Sequence, residues 1–400
     1  MFEILKQPIS LKRAPAKASA APAEGRRRRR AVSLTRRTHS LVGLEIEPGQ
    51  LIAVQSRLVG NVVVVERAAG KPIPPNVVRD GEVSDVGELS TALAELFEGS
   101  GLDRRVRIGI ANQRIVMRQM DLPPITDAKE LESAVYFQAQ DEIPMPIESV
   151  VLDYHALGIV ETPAGPRMQV LLVAARRDMV ERILLAARQA GLRPEGVDLA
   201  AFGMIRALRP LDAVEGEQIL YLSIGGLTNL AIATGSTCQF TRVITTGVEQ
   251  IVSEVAANAG VPLGDARRLV AAAAGQREMP AGEEPGSSVV PVSADVVAAA
   301  ASDHEEFARS ALSDGIRRIA AEVRNSLDFH LSSHGNVPVS RAVLTGPALD
   351  LQGFDIALGR ELGLPLTRGV VELASPTAAG HVPMSRLAVA AGLSLSEGPQ

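Results

Sequence analysis

The chain has 400 residues, of which 46% are hydrophobic and 22% are charged, so it is long enough to bury the cores of two or three domains. No stretch approaches the roughly 18 uninterrupted apolar residues of a membrane-spanning helix, and the basic N-terminus is not followed by the apolar segment of a signal peptide. The single cysteine excludes an internal disulfide, and 3% aromatic residues without Trp make a stacking surface for single-stranded nucleic acid unexpected. We therefore predict a cytoplasmic globular protein without a nucleic-acid partner, in which Cys238 is a small buried residue on a strand.

Charge is distributed unevenly along the chain. Residues 1–40 contain eleven Lys or Arg and two Glu, a net charge of +9, whereas the whole chain carries −5. A segment of Ala, Pro, Ser and Arg buries too little apolar surface to fold, so residues 1–40 are predicted to be a disordered basic tail. Two interpretations stay open: an electrostatic tether to anionic lipid or to an acidic partner, and a solvated extension without a role.

Residues 41–122 show the pattern of an α/β sheet. In Leu41–Val54 two apolar runs flank a turn that contains glycine, which predicts two antiparallel strands. Strands joined by a crossover helix are typical of an α/β core. The elements predicted next are a strand at Asn61–Glu66, a loop at Lys71–Gly87, a helix at Leu89–Phe97, a strand at Arg105–Ile110 and the run Ile115–Leu122.

Pro123 and Pro124 interrupt this pattern and open a different unit. The order helix, strand, strand, helix predicts a small α+β subdomain at 123–198, inserted in the first half, with 199–217 returning to that half. Its predicted elements are a helix at Asp127–Gln140, strands at Ser149–His155 and Met168–Ala174, and a helix at Arg177–Ala190 that Gly191 ends as a left-handed cap.

Residues 218–385 begin with a second hairpin. Ile219–Ala233 repeats the pattern of strand, glycine turn and strand. Two hairpins in separate halves predict a duplicated core, as in the actin-like ATPase fold, where each half aims one hairpin turn at the phosphates of a nucleotide; a purely structural turn is the alternative. The elements predicted after the hairpin are helices at Val248–Ala259 and Asp265–Ala274, a mobile loop at 275–301, a long helix at His304–Ser332, a strand at Arg341–Gly346, a helix at Leu358–Leu362, and a C-terminal crossover helix and tail at 386–400.

Several longer motifs resemble the PilM family, the actin-like proteins of type IV pilus assembly. They are Leu-Pro-Pro at 122–124, the run Gln-Asp-Glu-Ile-Pro-Met-Pro-Ile-Glu-Ser-Val-Val-Leu-Asp-Tyr at 140–154, and the segments 170–175, 190–199 and 240–247. Their order covers nearly all of residues 40–396. The resemblance implies an α/β, actin-like (ribonuclease H-like duplicated) two-domain fold with an inserted small α+β subdomain.

The resemblance also implies a nucleotide cleft, in which four elements depart from the family pattern. Glu45 stands where the first phosphate turn has Asp, and Ser223 where the second has its metal-coordinating Asp. Arg267 and Val270 replace Glu and Lys on the outer helix, and Pro347 follows the surviving glycine of the adenosine turn. The cleft residues implied are Glu45, Gly49, Gln50, Ser223, Gly225, Gly226, Thr228 and Gly346. Because Mg²⁺ needs carboxylate and phosphate oxygens, we predict weak or absent binding of ATP and Mg; retention of nucleotide with Glu45 in place of Asp is the alternative.

The resemblance implies a partner as well. A groove between the core and the inserted subdomain would take the N-terminal cytoplasmic peptide of a PilN-like bitopic membrane protein, which places the chain at the inner face of the cytoplasmic membrane. The residues predicted to shape this groove are Ile143, Pro144, Pro146, Ile147 and Val151, and core or turn positions are the alternative interpretation. A pilus motor ATPase or platform protein, and anionic lipid through the Arg-rich tail, are further expected partners.

Three function classes follow: a scaffold of a pilus or pseudopilus machine, a filament-forming ATPase similar to FtsA or MreB, and a small-molecule kinase with Asp153 or Asp198 as base. The scaffold is the preferred interpretation, so no catalytic residue is assigned. His330 and His334 lie four apart without a third ligand, and we interpret them as surface residues and predict no metal site.

Overall fold

The computed structural model describes residues 41–74, 76–163, 165–275, 295–333 and 337–395. The predicted tail and residues 276–294 of the predicted loop lie outside these ranges. Within them, no helix is long and apolar enough to cross a membrane.

The first half is built on a six-stranded sheet with the order β10-β6-β1-β2-β3-β16. Its elements are β1 (Val42–Glu47), β2 (Gln50–Val59), β3 (Val62–Pro72), the two-residue strands β4 (Val78–Arg79) and β5 (Glu82–Val83), α1 (Val86–Phe97), β6 (Arg105–Ile110), α3 (Arg177–Gln189), β10 (Arg193–Leu199), α4 (Ala200–Leu208) and β16 (Glu372–Leu373). β1 and β2 form the predicted first hairpin, and β6 and β10 lie parallel to β1 and to each other. Alternating apolar side chains of these strands make one face of the core.

A separate three-stranded sheet with the order β7-β9-β8 carries one helix. The elements are β7 (Val116–Leu122), α2 (Ala128–Glu142), β8 (Val150–Thr162) and β9 (Gly165–Arg176). Asp127 begins α2 by accepting hydrogen bonds from two backbone N–H groups. Leu131, Val135 and Ala139 then bury one stripe of this helix against the sheet.

The extent of this small unit differs from the predicted range 123–198. Its first strand, β7, precedes residue 123, while α3 and β10 belong to the first-half core. The physical reason is burial: Met179, Val180 and Ile183 pack into that core, and β10 hydrogen-bonds to β6.

The second half has a five-stranded sheet with the order β13-β12-β11-β14-β15. Its elements are β11 (Gln218–Ile224), β12 (Thr228–Thr234), β13 (Thr237–Ile244), α5 (Val248–Ala259), α6 (Leu263–Gly275), α7 (Asp295–Ser333), β14 (Arg341–Thr345), α8 (Phe354–Leu362) and β15 (Leu366–Arg368). The second predicted hairpin is confirmed as β11 and β12. α7 begins at Asp295, inside the predicted loop.

Cys238 and His330 are both buried. Cys238 is buried on β13, as expected. His330 is only 1% exposed, so its interpretation as a surface residue is wrong; its Nε2 lies 3.0 Å from Gln218 Oε1. His334 lies outside the described residues.

The C-terminal segment returns to the first half. β16 pairs with β3, and α9 (Ala388–Ser394) packs on α4, β1 and β2. A Cβ atom at Gly392 would collide with the backbone of Gly203, so only glycine allows this close approach of α9 to α4. The chain therefore links its two halves through residues that follow β14.

Candidate functional site

The turns of the two hairpins meet between the halves and touch each other. A Cβ atom added to Gly225 would lie 2.9 Å from Glu47 Oε2 and 3.2 Å from Pro347 Cδ, and one added to Gly226 would lie 3.1 Å from the carbonyl oxygen of Pro48. Side chains and backbone of the chain itself therefore occupy the space between the turns.

What remains of the cleft is a cavity of about 10 Å³. It brings together Glu45, Ser223 and Gly346 from the predicted set, with Glu47 and Arg386 beside them. This volume is close to the minimum that holds one water molecule. The other predicted cleft residues, Gly49, Gln50, Gly225, Gly226 and Thr228, do not line this cavity.

Polar groups of the turns are bonded within the protein. Gly225 donates its backbone N–H to Leu227 O at 2.9 Å, and Gly346 donates its own to Ser385 O at 2.8 Å. Thr228 donates its hydroxyl to Thr246 O at 2.7 Å. These donors are therefore not free to bind a phosphate.

The charges in this region come from two carboxylates and one guanidinium. Burial raises the pKa of Glu45 well above its usual value, the neighbouring Glu47 raises it further, and Arg386 lowers it. Burial also raises the pKa of Glu47 to about 7, against the opposing effect of Arg386. Arg386 donates to Gln50 Oε1, and its Nε lies 3.6 Å from Asp350 Oδ2. A single guanidinium thus balances the charge of several acidic groups. A nucleotide phosphate would add further negative charge here and would be repelled by the carboxylates.

The outer helix offers no substitute contact. Arg267 makes a bidentate pair with Glu249, at 2.7 and 2.5 Å, and Val270 is fully buried in the second-half core. With the cavity and the bonded turns, this arrangement does not fit ATP and Mg in the conformation described.

A second cavity, of about 290 Å³, is lined by residues of both halves and shares no lining residue with the first. It is lined by Asn112, Leu199 and Thr241 among others, and by Asn229, which is 7% exposed. Within the described part of the chain, Asn229 Oδ1 has no hydrogen-bond partner. Sequence reasoning missed this cavity, since its residues come from four separate strands and loops.

An open groove of about 850 Å³ lies where the small sheet meets the start of α3. Of the five residues predicted to shape it, Pro144 and Pro146 line it. The other three do not: Ile143 is buried in the core of the small unit, Ile147 packs against that core, and Val151 belongs to the first-half core. The groove residues that sequence reasoning missed are Gln113, Arg114, Val116, Met145, Ser149, Arg176, Arg177, Asp178 and Glu181. The sequence holds a signal for three of them, because Arg176, Arg177 and Asp178 are charged residues at the predicted start of a helix.

Arg177 fixes the shape of the groove. Its guanidinium donates to Glu148 O at 3.2 Å and to Val150 O at 2.7 Å. These bonds hold the turn after Pro146 against the first residue of α3, so the prolines and the helix form two fixed walls.

The family model for the type IV pilus assembly protein PilM matches residues 43–274, more than half of the chain. The chain belongs to the PilM family. Among solved structures, a chain of the PilM-PilN type IV pilus biogenesis complex superposes with a TM-score of 0.68 and 24% identity, over 90% of this chain and 97% of that one. Ethanolamine utilization protein EutJ from Carboxydothermus hydrogenoformans gives 0.48 and 15%, over 89% of each chain. MreB 5 of Spiroplasma citri bound to AMPPNP gives 0.46 and 12%, over 83% of this chain and 92% of that one.

The duplicated α/β architecture of this PilM-family chain is therefore the actin-like fold that the hairpins predicted. The two acids considered as a kinase base are both buried. Asp198, one base considered for a kinase, accepts a hydrogen bond from Arg206 at 2.5 Å and lies 7% exposed. Asp153 is 5% exposed.

Proposed function

We propose that this PilM-family chain is a scaffold of the inner-membrane platform that assembles a type IV pilus or a related pseudopilus. Its groove would hold the N-terminal cytoplasmic peptide of a PilN-like bitopic membrane protein. The observation that carries this proposal is the groove of about 850 Å³ between the small sheet and α3, since a cavity of that size suits several peptide side chains.

The groove is suited to an extended peptide. Val116, Pro144 and Met145 supply apolar walls. β7, which carries Val116, is an edge strand of its sheet, so its outer backbone groups can pair with an added strand. Apolar pockets beside an edge strand give such a peptide both affinity and register.

The proposal includes a weakened or lost nucleotide function. A closed cleft of about 10 Å³ and bonded turn groups support an adaptor that stays in one conformation. A nucleotide-dependent filament of the FtsA or MreB kind would need this cleft to open. A peripheral position at the inner membrane, contact with a motor ATPase or platform protein, and lipid contact through the basic tail are further parts of this proposal.

The test is calorimetric titration of the full chain with a synthetic peptide of about 20 residues from the N-terminus of a PilN-like protein of the same organism. Met145→Glu places a charge in the groove, and Ile356→Glu, on an exposed position of α8, is the matched control. We expect wild type and Ile356→Glu to bind, and Met145→Glu to lose at least about tenfold in affinity, or about 1.4 kcal/mol. Equal binding by all three would place the peptide elsewhere, and no binding by wild type would refute the proposed partner.

A further inference from the structure

Resting on the proposed peptide groove, we propose that the groove selects a segment that carries an acidic residue beside its apolar side chains, and that Arg177 binds that carboxylate. The groove thus becomes a site with a defined chemical preference rather than a general apolar surface.

The guanidiniums of the groove differ in how their charge is balanced. Arg114 pairs with Glu82 at 2.9 Å, and Arg176 pairs with Asp178. Arg177 instead donates to two backbone carbonyl oxygens, which carry no net charge. Within the described residues, no carboxylate lies within ion-pair distance of Arg177. Its positive charge therefore stays available at the wall of the groove.

Glu181 is an acid that could pair with Arg177, because it lies one helical turn after Arg177 and also lines the groove. The two side chains do not form an ion pair in the described structure, where the guanidinium is bonded instead to the carbonyls of Glu148 and Val150. Glu181 is exposed and its carboxylate is hydrated, so it competes weakly with a ligand that excludes water from the groove.

The geometry suits a carboxylate better than a neutral polar group. A guanidinium has five N–H donors, and the two backbone bonds leave others free for the paired oxygens of a carboxylate. A peptide lying on Pro144, Met145 and Pro146 would exclude water from this part of the groove, which strengthens a charge-assisted hydrogen bond. The two carbonyl bonds also hold the guanidinium in place, so little side-chain entropy is lost on binding.

The probe is the synthetic N-terminal peptide of the same PilN-like protein, compared with a copy in which every Asp and Glu is replaced by Asn and Gln. We expect wild type to bind the acidic peptide about tenfold more tightly than its amide copy, a difference that shrinks at high salt. We expect Arg177→Gln to bind both peptides equally. Arg188→Gln removes the same charge from an exposed position at the far end of the same helix and should keep the discrimination.

Arg177 also holds a turn, so loss of affinity in Arg177→Gln alone does not separate recognition from structure. The difference between the two peptides does, because a purely structural role weakens both equally. Arg177→Lys keeps the charge without the planar fork and should keep part of the discrimination.

The outcomes are distinct. Equal binding of the two peptides to wild type overturns the acidic preference and leaves the proposed groove intact. Failure of wild type to bind either peptide refutes the proposed function and this inference with it. A natural partner segment without any acidic residue also overturns the inference.

Discussion

The carboxylate of Glu47 lies against the backbone of Gly225, so close that a Cβ atom on Gly225 would be 2.9 Å from Glu47 Oε2. These residues belong to the turns of the two hairpins, one in each half of the molecule. In an actin-like protein such turns face a nucleotide, whereas here they face each other.

Gly225→Ala tests this contact. The added methyl group would displace the end of the Glu47 side chain and press on the ring of Pro347, so we expect a loss of about 1 kcal/mol in the free energy of unfolding, measured by urea denaturation. Gly264→Ala is the control, since a Cβ there meets nothing within 4 Å and helix α6 should gain about 0.5 to 1 kcal/mol. A Gly225→Ala chain as stable as wild type would mean that the halves are not closed in solution.

The stability of the protein should depend on pH through the titration of Glu47. Its pKa is raised from 4.5 to about 7 by burial, so the folded chain keeps a proton that the unfolded chain releases between these values. This contribution to stability is present below pH 4.5 and is lost as the pH rises through about 7. Glu45 acts in the same direction, while Arg386 opposes both.

Glu47→Gln removes this titration. We expect it to be more stable than wild type by about 1 to 3 kcal/mol at pH 8 and nearly equal at pH 4.5, measured by thermal unfolding across that range. Glu132→Gln, at an exposed position of α2, controls for the change in net charge and should not alter the pH profile of wild type. A Glu47→Gln profile identical to that of wild type would contradict the assignment.

Mg·ATP should not stabilise the protein. A ligand present at a thousandfold excess over its Kd raises the free energy of unfolding by about 4 kcal/mol. We expect no shift in Tm at millimolar Mg·ATP, because the cavity beside Ser223 has a volume of about 10 Å³. Ser223→Asp restores one family residue but not the space, so it should remain unresponsive. A clear shift with wild type would restore a nucleotide-gated step as the leading mechanism.

The buried pair of Asp198 and Arg206 links β10, α4 and α9. Arg206 also donates to Gly392 O at 3.0 Å, so it helps to hold the C-terminal helix. Arg206→Met removes the hydrogen-bonded counter-ion of a buried carboxylate and leaves only the more distant charge of Arg107, so it should cost about 3 kcal/mol in urea denaturation.

Arg317→Met is the matched control for Arg206→Met, since Arg317 pairs with Asp314 on the surface of α7 and should contribute less than about 1 kcal/mol. Similar losses for the two variants would show that burial adds nothing to the Asp198 pair. The double change Asp198→Leu with Arg206→Met should recover much of the loss, because it removes both charges.

Hydrophobic periodicity and glycine turns were sufficient to predict most helices and strands. The strand Arg105–Ile110 and the helix Val248–Ala259 occur with the predicted bounds, and both hairpins form. These patterns are local, since side-chain alternation and helical spacing are set by the backbone itself. The motif order between residues 40 and 396 also predicted the family, which the match to residues 43–274 confirms.

The order of the residues is enough to predict which chemical groups the cleft contains: Glu45 and Glu47 on one turn, Ser223 and two glycines on the other. It does not predict that Glu47 packs on Gly225 or that Arg386 joins them, because these residues are far apart along the chain and meet only through the packing of the two halves.

The groove could not be predicted in full for the same reason. The local pattern shows that Ile143 and Val151 are apolar, but it does not show that they belong to two different cores. It also does not show that Arg177 lies at the wall of the groove. Local periodicity fixes which face of an element is apolar, and packing between distant elements decides what that face meets.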